Sequence, residues 1–67
     1  MFKILKRSTV ESVTGMSRST IYAKIAEGTF PKPIRLTARS VGWIEQEVQE
    51  WIKSRIVASR GEMSNED

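Results

Sequence analysis

The chain of 67 residues contains no cysteine and no histidine. Disulfides, thiolate chemistry and the usual transition-metal sites are therefore excluded by inventory. The fold has to hold by packing alone, as suits a reducing cytosol. No apolar run approaches the ~20 residues of a membrane span. The opening Met1-Phe2-Lys3-Ile4-Leu5-Lys6 is too short and too basic for a signal-peptide core, so a cytoplasmic location without membrane contact is expected. The four glycines are scattered and build no phosphate-cradling loop. Serines are present, but with no histidine beside them acyl-transfer chemistry lacks its usual base. A single core in so short a chain rarely yields more than ~3–5 kcal/mol, which leaves little room for a deep catalytic pocket. No enzyme activity, cofactor, metal or small-molecule substrate is expected.

What is present is basic charge, and it is unevenly spread. Residues 1–43 carry eight Lys and Arg against Glu11 and Glu27, a net +6. Residues 44–67 carry three against six carboxylates, a net −3. The front half thus suits a polyanionic partner, although the same cations can simply solvate a small surface.

The most informative stretch is Thr14-Gly15-Met16-Ser17-Arg18-Ser19-Thr20-Ile21-Tyr22-Ala23-Lys24-Ile25. Gly15 supplies the positive φ of a sharp reversal after a helix. Ser17 stands where an N-cap belongs, and Ile21 and Ile25, four apart, share an inward face. Upstream, Ser8-Thr9-Val10-Glu11 has the spacing of a capping box and opens a short helix to Thr14, with Val10 and Val13 as its apolar side. A second helix is predicted from Arg18 to Glu27, with Gly28 as its stop. Two short helices around a glycine turn form a helix-turn-helix, whose second helix enters the DNA major groove.

Phe2, Ile4 and Leu5 read as an extended lead-in packed under the first helix. Thr29-Phe30-Pro31-Lys32-Pro33 is a stiff extended connector, with Phe30 as a core plug. Ile34-Arg35-Leu36 and Val41-Gly42-Trp43 flank the polar turn Thr37–Ser40 as a hairpin, with Ile34 and Leu36 inward and Arg35 outward. From Ile44 to about Ser59, Val48, Trp51, Ile52 and Ile56 make an amphipathic helical stripe with Trp51 as core anchor. Glu45, Glu47 and Glu50 early in that helix match its dipole. The expected architecture is mainly α with a small β-hairpin: helix-turn-helix, two-stranded wing, C-terminal helix. Residues 1–59 form the domain, and 60–67 a disordered tail without periodicity.

Four blocks carry a resemblance: Thr14 to Tyr22, Phe30-Pro31-Lys32-Pro33, Val41-Gly42-Trp43-Ile44, and Glu47-Val48-Gln49-Glu50-Trp51-Ile52. In this order and spacing they resemble the AlpA family of prophage regulators, small winged-helix proteins of the MerR/excisionase-like type, over roughly residues 4–57. Met16 stands where an aliphatic is commoner in the family, and Lys24 where arginine is frequent. The resemblance implies DNA binding in prophages and related mobile elements. It implies transcription regulation or, alternatively, an excisionase that binds and bends attachment-site DNA.

With Ile21 and Ile25 inward, the second helix presents Ser17, Arg18, Ser19, Thr20, Tyr22, Ala23 and Lys24 to DNA. Arg18 has the fork for guanine O6 and N7, or clamps a phosphate. Ser19 can bond a base edge or a phosphate, Tyr22 offers a hydroxyl or a ring for a thymine methyl, and Ala23 lets the helix sit close. Thr20 and Lys24 suit phosphates better. In the wing, Lys32, Arg35 and Arg39 are candidate contacts, with Arg39 at the tip placed for a narrow minor groove. Ser8 and Thr9, at the start of the first helix, are a further candidate phosphate site. So small a reader is expected to act as a dimer or cooperative array on double-stranded DNA. A reading of another class is a protein-interaction module for an integrase or RNA polymerase subunit, through the acidic face of the last helix or the tail.

Overall fold

Local chemistry sets the helix ends. The computed structural model describes residues 2–63 and runs β1 (Ile4–Leu5), α1 (Arg7–Thr14), α2 (Arg18–Glu27), β2 (Ile34–Arg35), β3 (Val41–Ile44) and α3 (Glu45–Met63). Gly15 closes α1 at φ 74°, its N–H donating to the Glu11 carbonyl at 2.8 Å. Thr14 Oγ1 donates to the Val10 carbonyl at 2.7 Å and accepts from the Met16 N–H at 3.3 Å, which ties the turn to the helix before it. Ser17 caps α2 by accepting the Thr20 N–H at 3.3 Å. Gly28, at φ 81°, ends that helix in the left-handed conformation glycine adopts without a Cβ penalty. The second helix therefore has the bounds its sequence predicts.

The cap gives a direct test. Ser17→Ala leaves the Thr20 N–H without its acceptor and should cost about 1 kcal/mol. In a domain of this size that lowers the thermal midpoint by about 4–8 °C. A melt followed by circular dichroism measures it, and an unchanged midpoint would show that the cap contributes nothing.

The first helix departs from expectation. Lys6, not Ser8, is its N-cap residue, with extended backbone and no side-chain cap, and the Lys6 carbonyl accepts from the Val10 N–H at 3.0 Å. Ser8 therefore lies inside the first turn. Glu11, instead of reaching back to Ser8, meets Arg7 Nε at 3.2 Å, so an i,i+4 pair forms where the capping box was expected.

The wing gains a third strand. The sheet order is β1-β3-β2, all antiparallel, with Ile4 opposite Ile44, Leu5 opposite Trp43, Ile34 opposite Gly42 and Arg35 opposite Val41. The lead-in thus pairs with β3, and the Glu45 N–H adds a bond to the Lys3 carbonyl at 2.8 Å. The hairpin itself forms around Thr37–Ser40 as predicted, closed by Leu36 N–H to the Ser40 carbonyl at 2.9 Å.

Register decides which sheet face is inside. Trp43 and Leu5, directly opposite one another, are both buried. Alternation puts Gly42, Ile4 and Ile34 on the other face. A methyl added at Gly42 would overlap Ile4 Cγ2 and lie 3.1 Å from Leu36 Cδ1, so Leu36 is on that face too. Ile34 and Leu36, expected inward, are accordingly 38% and 48% exposed. Arg35 shares the face of Val41 and Trp43 instead.

The core consists of Leu5, Val10, Ile21, Phe30, Trp43 and Val48. Its anchor is Trp43, fully buried, with its indole N–H donating to the Pro31 carbonyl at 2.9 Å. Trp51, expected in that role, is half-buried at the rim. Its ring meets Phe30 edge-on at 4.8 Å and its N–H donates to the Thr29 carbonyl. Phe30 is buried as expected, whereas Val13 is 51% exposed. Helix α3 begins at Glu45, because Ile44 belongs to β3, and it continues to Met63, past the expected end near Ser59. Gly61 is helical there. A glycine inside a helix costs about 1 kcal/mol, which weakens the helix without stopping it. The remainder of the expected tail, 64–67, lies outside the described residues. No helix among the described residues is long and apolar enough to cross a membrane.

Candidate nucleic-acid interface

Helix α2 is pinned by one side and free on the other. Ile21 is fully buried and Ile25 half-buried, while Ser17, Arg18, Ser19, Thr20, Tyr22 and Ala23 are exposed and Lys24 is half-buried. The Ser17 and Thr20 hydroxyls bond each other at 3.1 Å. The Arg18 guanidinium lies 5.9 Å from the Tyr22 ring centroid, and Tyr22 meets Trp43 in an edge contact at 6.3 Å. Cation, phenol and core indole thus form a relay that biases the direction of an otherwise free arginine, worth about 0.5–1 kcal/mol at an exposed site.

The wing presents three cations. Lys32 is exposed between Pro31 and Pro33, and Arg35 and Arg39 are exposed on the hairpin. Arg35 shares the sheet face of Trp43, the residue Tyr22 touches, so register turns it toward the side of the sheet that carries α2. Arg39 sits in a turn locked by its neighbours. The Thr37 and Ser40 hydroxyls bond at 2.8 Å, and the Arg39 N–H donates to Thr37 Oγ1 at 3.2 Å. These two hydroxyl residues were not among the sequence-derived candidates, although Thr-x-x-Ser in a four-residue turn is the signal that finds them. They place the backbone from which Arg39 extends.

Ser8 and Thr9 are exposed in the first turn of α1, where backbone N–H groups have no intrahelical acceptor. They lie within that first turn rather than at the cap, which is Lys6. No hydrogen bond, ion pair or ring contact among the described residues joins them, or the wing cations, to the side chains of α2. The fold alone groups these elements.

The electrostatics are simple. The ion pairs among the described residues are Lys3 with Glu45 at 3.8 Å and Arg7 with Glu11 at 3.2 Å. Arg18, Lys24, Lys32, Arg35 and Arg39 pair with no described carboxylate, so their charge is not offset locally. Such a set can neutralise phosphates and release the counterions condensed on a duplex.

Comparison with known proteins places these features. The family described as "Prophage CP4-57 regulatory protein (AlpA)" matches residues 3–56. The chain is 42% identical over 59 residues to "DNA-binding transcriptional activator AlpA" of Escherichia coli (strain K12), spanning 79% of this chain and 84% of that protein. It is 36% identical over 58 residues to "Uncharacterized protein ORF88" of Enterobacteria phage P4, spanning 87% of this chain and 66% of that protein.

Proposed function

This chain belongs to the AlpA family of prophage regulatory proteins, and from that premise we propose that it is a small sequence-specific regulator of transcription that binds double-stranded DNA. The observation that carries the reading is the exposed outer side of α2, capped by Ser17, anchored by Ile21 and headed by an arginine with no acidic partner among the described residues. In this reading α2 enters the major groove, with Arg18 on base edges, Ser19, Tyr22 and Ala23 alongside, and Ser17, Thr20 and Lys24 near phosphates. Lys32, Arg35 and Arg39 hold the adjacent backbone or minor groove, and Ser8 and Thr9 take a phosphate at the start of α1. A reader of this size contacts few base pairs, so it works as a dimer or cooperative array.

Footprinting on the DNA around its own gene and any neighbouring integrase attachment site tests the proposal. A single protected site or dyad over a promoter is the expected result. Tandem protected repeats with bending beside the attachment site would replace transcription regulation with an excisionase role. Absence of protection at low salt, where phosphate contacts are strongest, would overturn DNA binding itself.

The wing has its own signature. Arg39→Ala should leave sequence preference intact and lower the slope of log affinity against log salt by about one unit, the loss of one phosphate contact. Titrations at several salt concentrations give the slope, and an unaltered value would take Arg39 out of the interface.

A further inference from the structure

A trough runs between α1 and α3. It is made of two hollows, of about 490 and 600 Å³, that share Val13 and Ile52. Its floor is apolar, with Trp51 and Ile56 beside those two residues, and Val13 and Ile56 are 51% and 45% exposed. From Lys53 to Gly61 every residue of α3 is exposed. This half of the helix therefore draws little support from the core, and helices of a few turns persist mainly by packing an apolar face. Ile52 and Ile56, one turn apart with Val13 across the trough, offer that face to another element.

The rim identifies what would fit. Arg55 and Arg60 flank one end, Lys3 and Lys6 the other. Among the described residues, the carboxylate lining it is Glu45, which already lies 3.8 Å from Lys3. A second copy of this chain seated α3 against α3 would bring both pairs of Arg55 and Arg60 into one groove, and like charges brought together at an interface are penalised. An occupant with carboxylates beside apolar residues at i and i+4 matches both floor and rim, as in helix-in-groove recognition. We propose that this trough docks an acidic amphipathic helix of a partner protein, its apolar row on Val13, Ile52 and Ile56 and its carboxylates against Arg55 and Arg60. The docking residues Val13, Ile52, Arg55, Ile56 and Arg60 lie outside α2, the hairpin and the Ser8–Thr9 site, and Thr9 lines only the far hollow, so docking at the Arg55–Arg60 end is compatible with simultaneous DNA binding.

The test uses the full chain and a fluorescein-labelled synthetic helix of about 18 residues, five turns, with leucines at i, i+4, i+7 and i+11 among glutamates. The same helix with lysines replacing the glutamates is the control. Fluorescence anisotropy should show saturable micromolar binding of the acidic helix and at least tenfold weaker binding of the basic one. Ile56→Asp, and separately Arg55→Glu with Arg60→Glu, should each weaken the acidic helix at least tenfold while the thermal melt and DNA footprint stay as in the parent chain. No saturable binding, equal binding of both helices, or binding indifferent to these substitutions would overturn the proposal. Loss of the footprint in the double arginine variant would assign those arginines to DNA instead. Self-association of the parent chain in sedimentation, removed by Ile56→Asp, would assign the trough to a second copy.

Discussion

Trp43→Ala is expected to abolish the cooperative thermal transition. Trp43 is fully buried at the centre of the sheet, and truncating a buried tryptophan costs about 3–5 kcal/mol. A core in a chain this short supplies about the same amount, so nothing remains to hold the native state. The substitution also takes the donor from the Pro31 carbonyl and the edge partner from Tyr22, so the connector and α2 lose support together. Circular dichroism would show a gradual, non-sigmoidal melt, and proton NMR would lose its dispersed amides. Trp51→Ala is the control. That ring is half-buried at the rim, and the variant should stay folded with a lowered midpoint. If Trp43→Ala melts cooperatively within a few degrees of the parent chain, Trp43 is not the anchor.

Arg18→Ala is expected to leave the fold intact and weaken DNA binding by about 1–3 kcal/mol, with relaxed preference at one base position. The side chain is exposed and its contact is with the Tyr22 ring, so stability should move by no more than about 0.5 kcal/mol. Arg18→Lys separates charge from shape, because lysine keeps the cation and loses the planar fork. A base-reading Arg18 predicts that lysine restores little of the discrimination. Competition titrations with single-base operator variants decide the matter. A loss equal across all sequences, largely rescued by lysine, would make Arg18 a phosphate clamp.

The parts of this fold that the sequence announces are those encoded by single residues acting locally. Gly15, Ser17 and Gly28 each do one job within a turn of their own position, and α2 has the predicted bounds. What escapes local reading depends on partners far along the chain. Ile4-Leu5 is too short to show any alternation and becomes a strand because Trp43 and Ile44 offer it an edge. Ile34 and Leu36 alternate as an inward pair would, yet the pairing of Ile34 with Gly42 commits them to the outer face. The two tryptophans look alike in sequence, and the sheet decides between them by placing Trp43 inside. Ser8 and Glu11 carry the spacing of a capping box, but the extended backbone at Lys6 and the Arg7–Glu11 pair start the helix earlier. Among the candidate interface residues, exposure follows the 3.6-residue period on α2, which is why that part was legible. Thr37 and Ser40 act through a turn rather than through charge, so charge patterning does not point to them.

The central position of β3 governs the order in which the molecule can assemble. The helix-turn-helix is synthesised first, but α1 spans only Arg7–Thr14 and is too short to persist undocked. The residue that closes the core, Trp43, lies roughly forty positions after its strand partner Leu5, and that loop must close before the contact repays its entropy. A nascent chain leaving the ribosome would therefore carry the whole helix-turn-helix sequence without its packed core until β3 and the start of α3, with Trp43 and Val48, have emerged. The two strands that flank β3, one from the start of the chain and one from its middle, have no partner until that strand arrives.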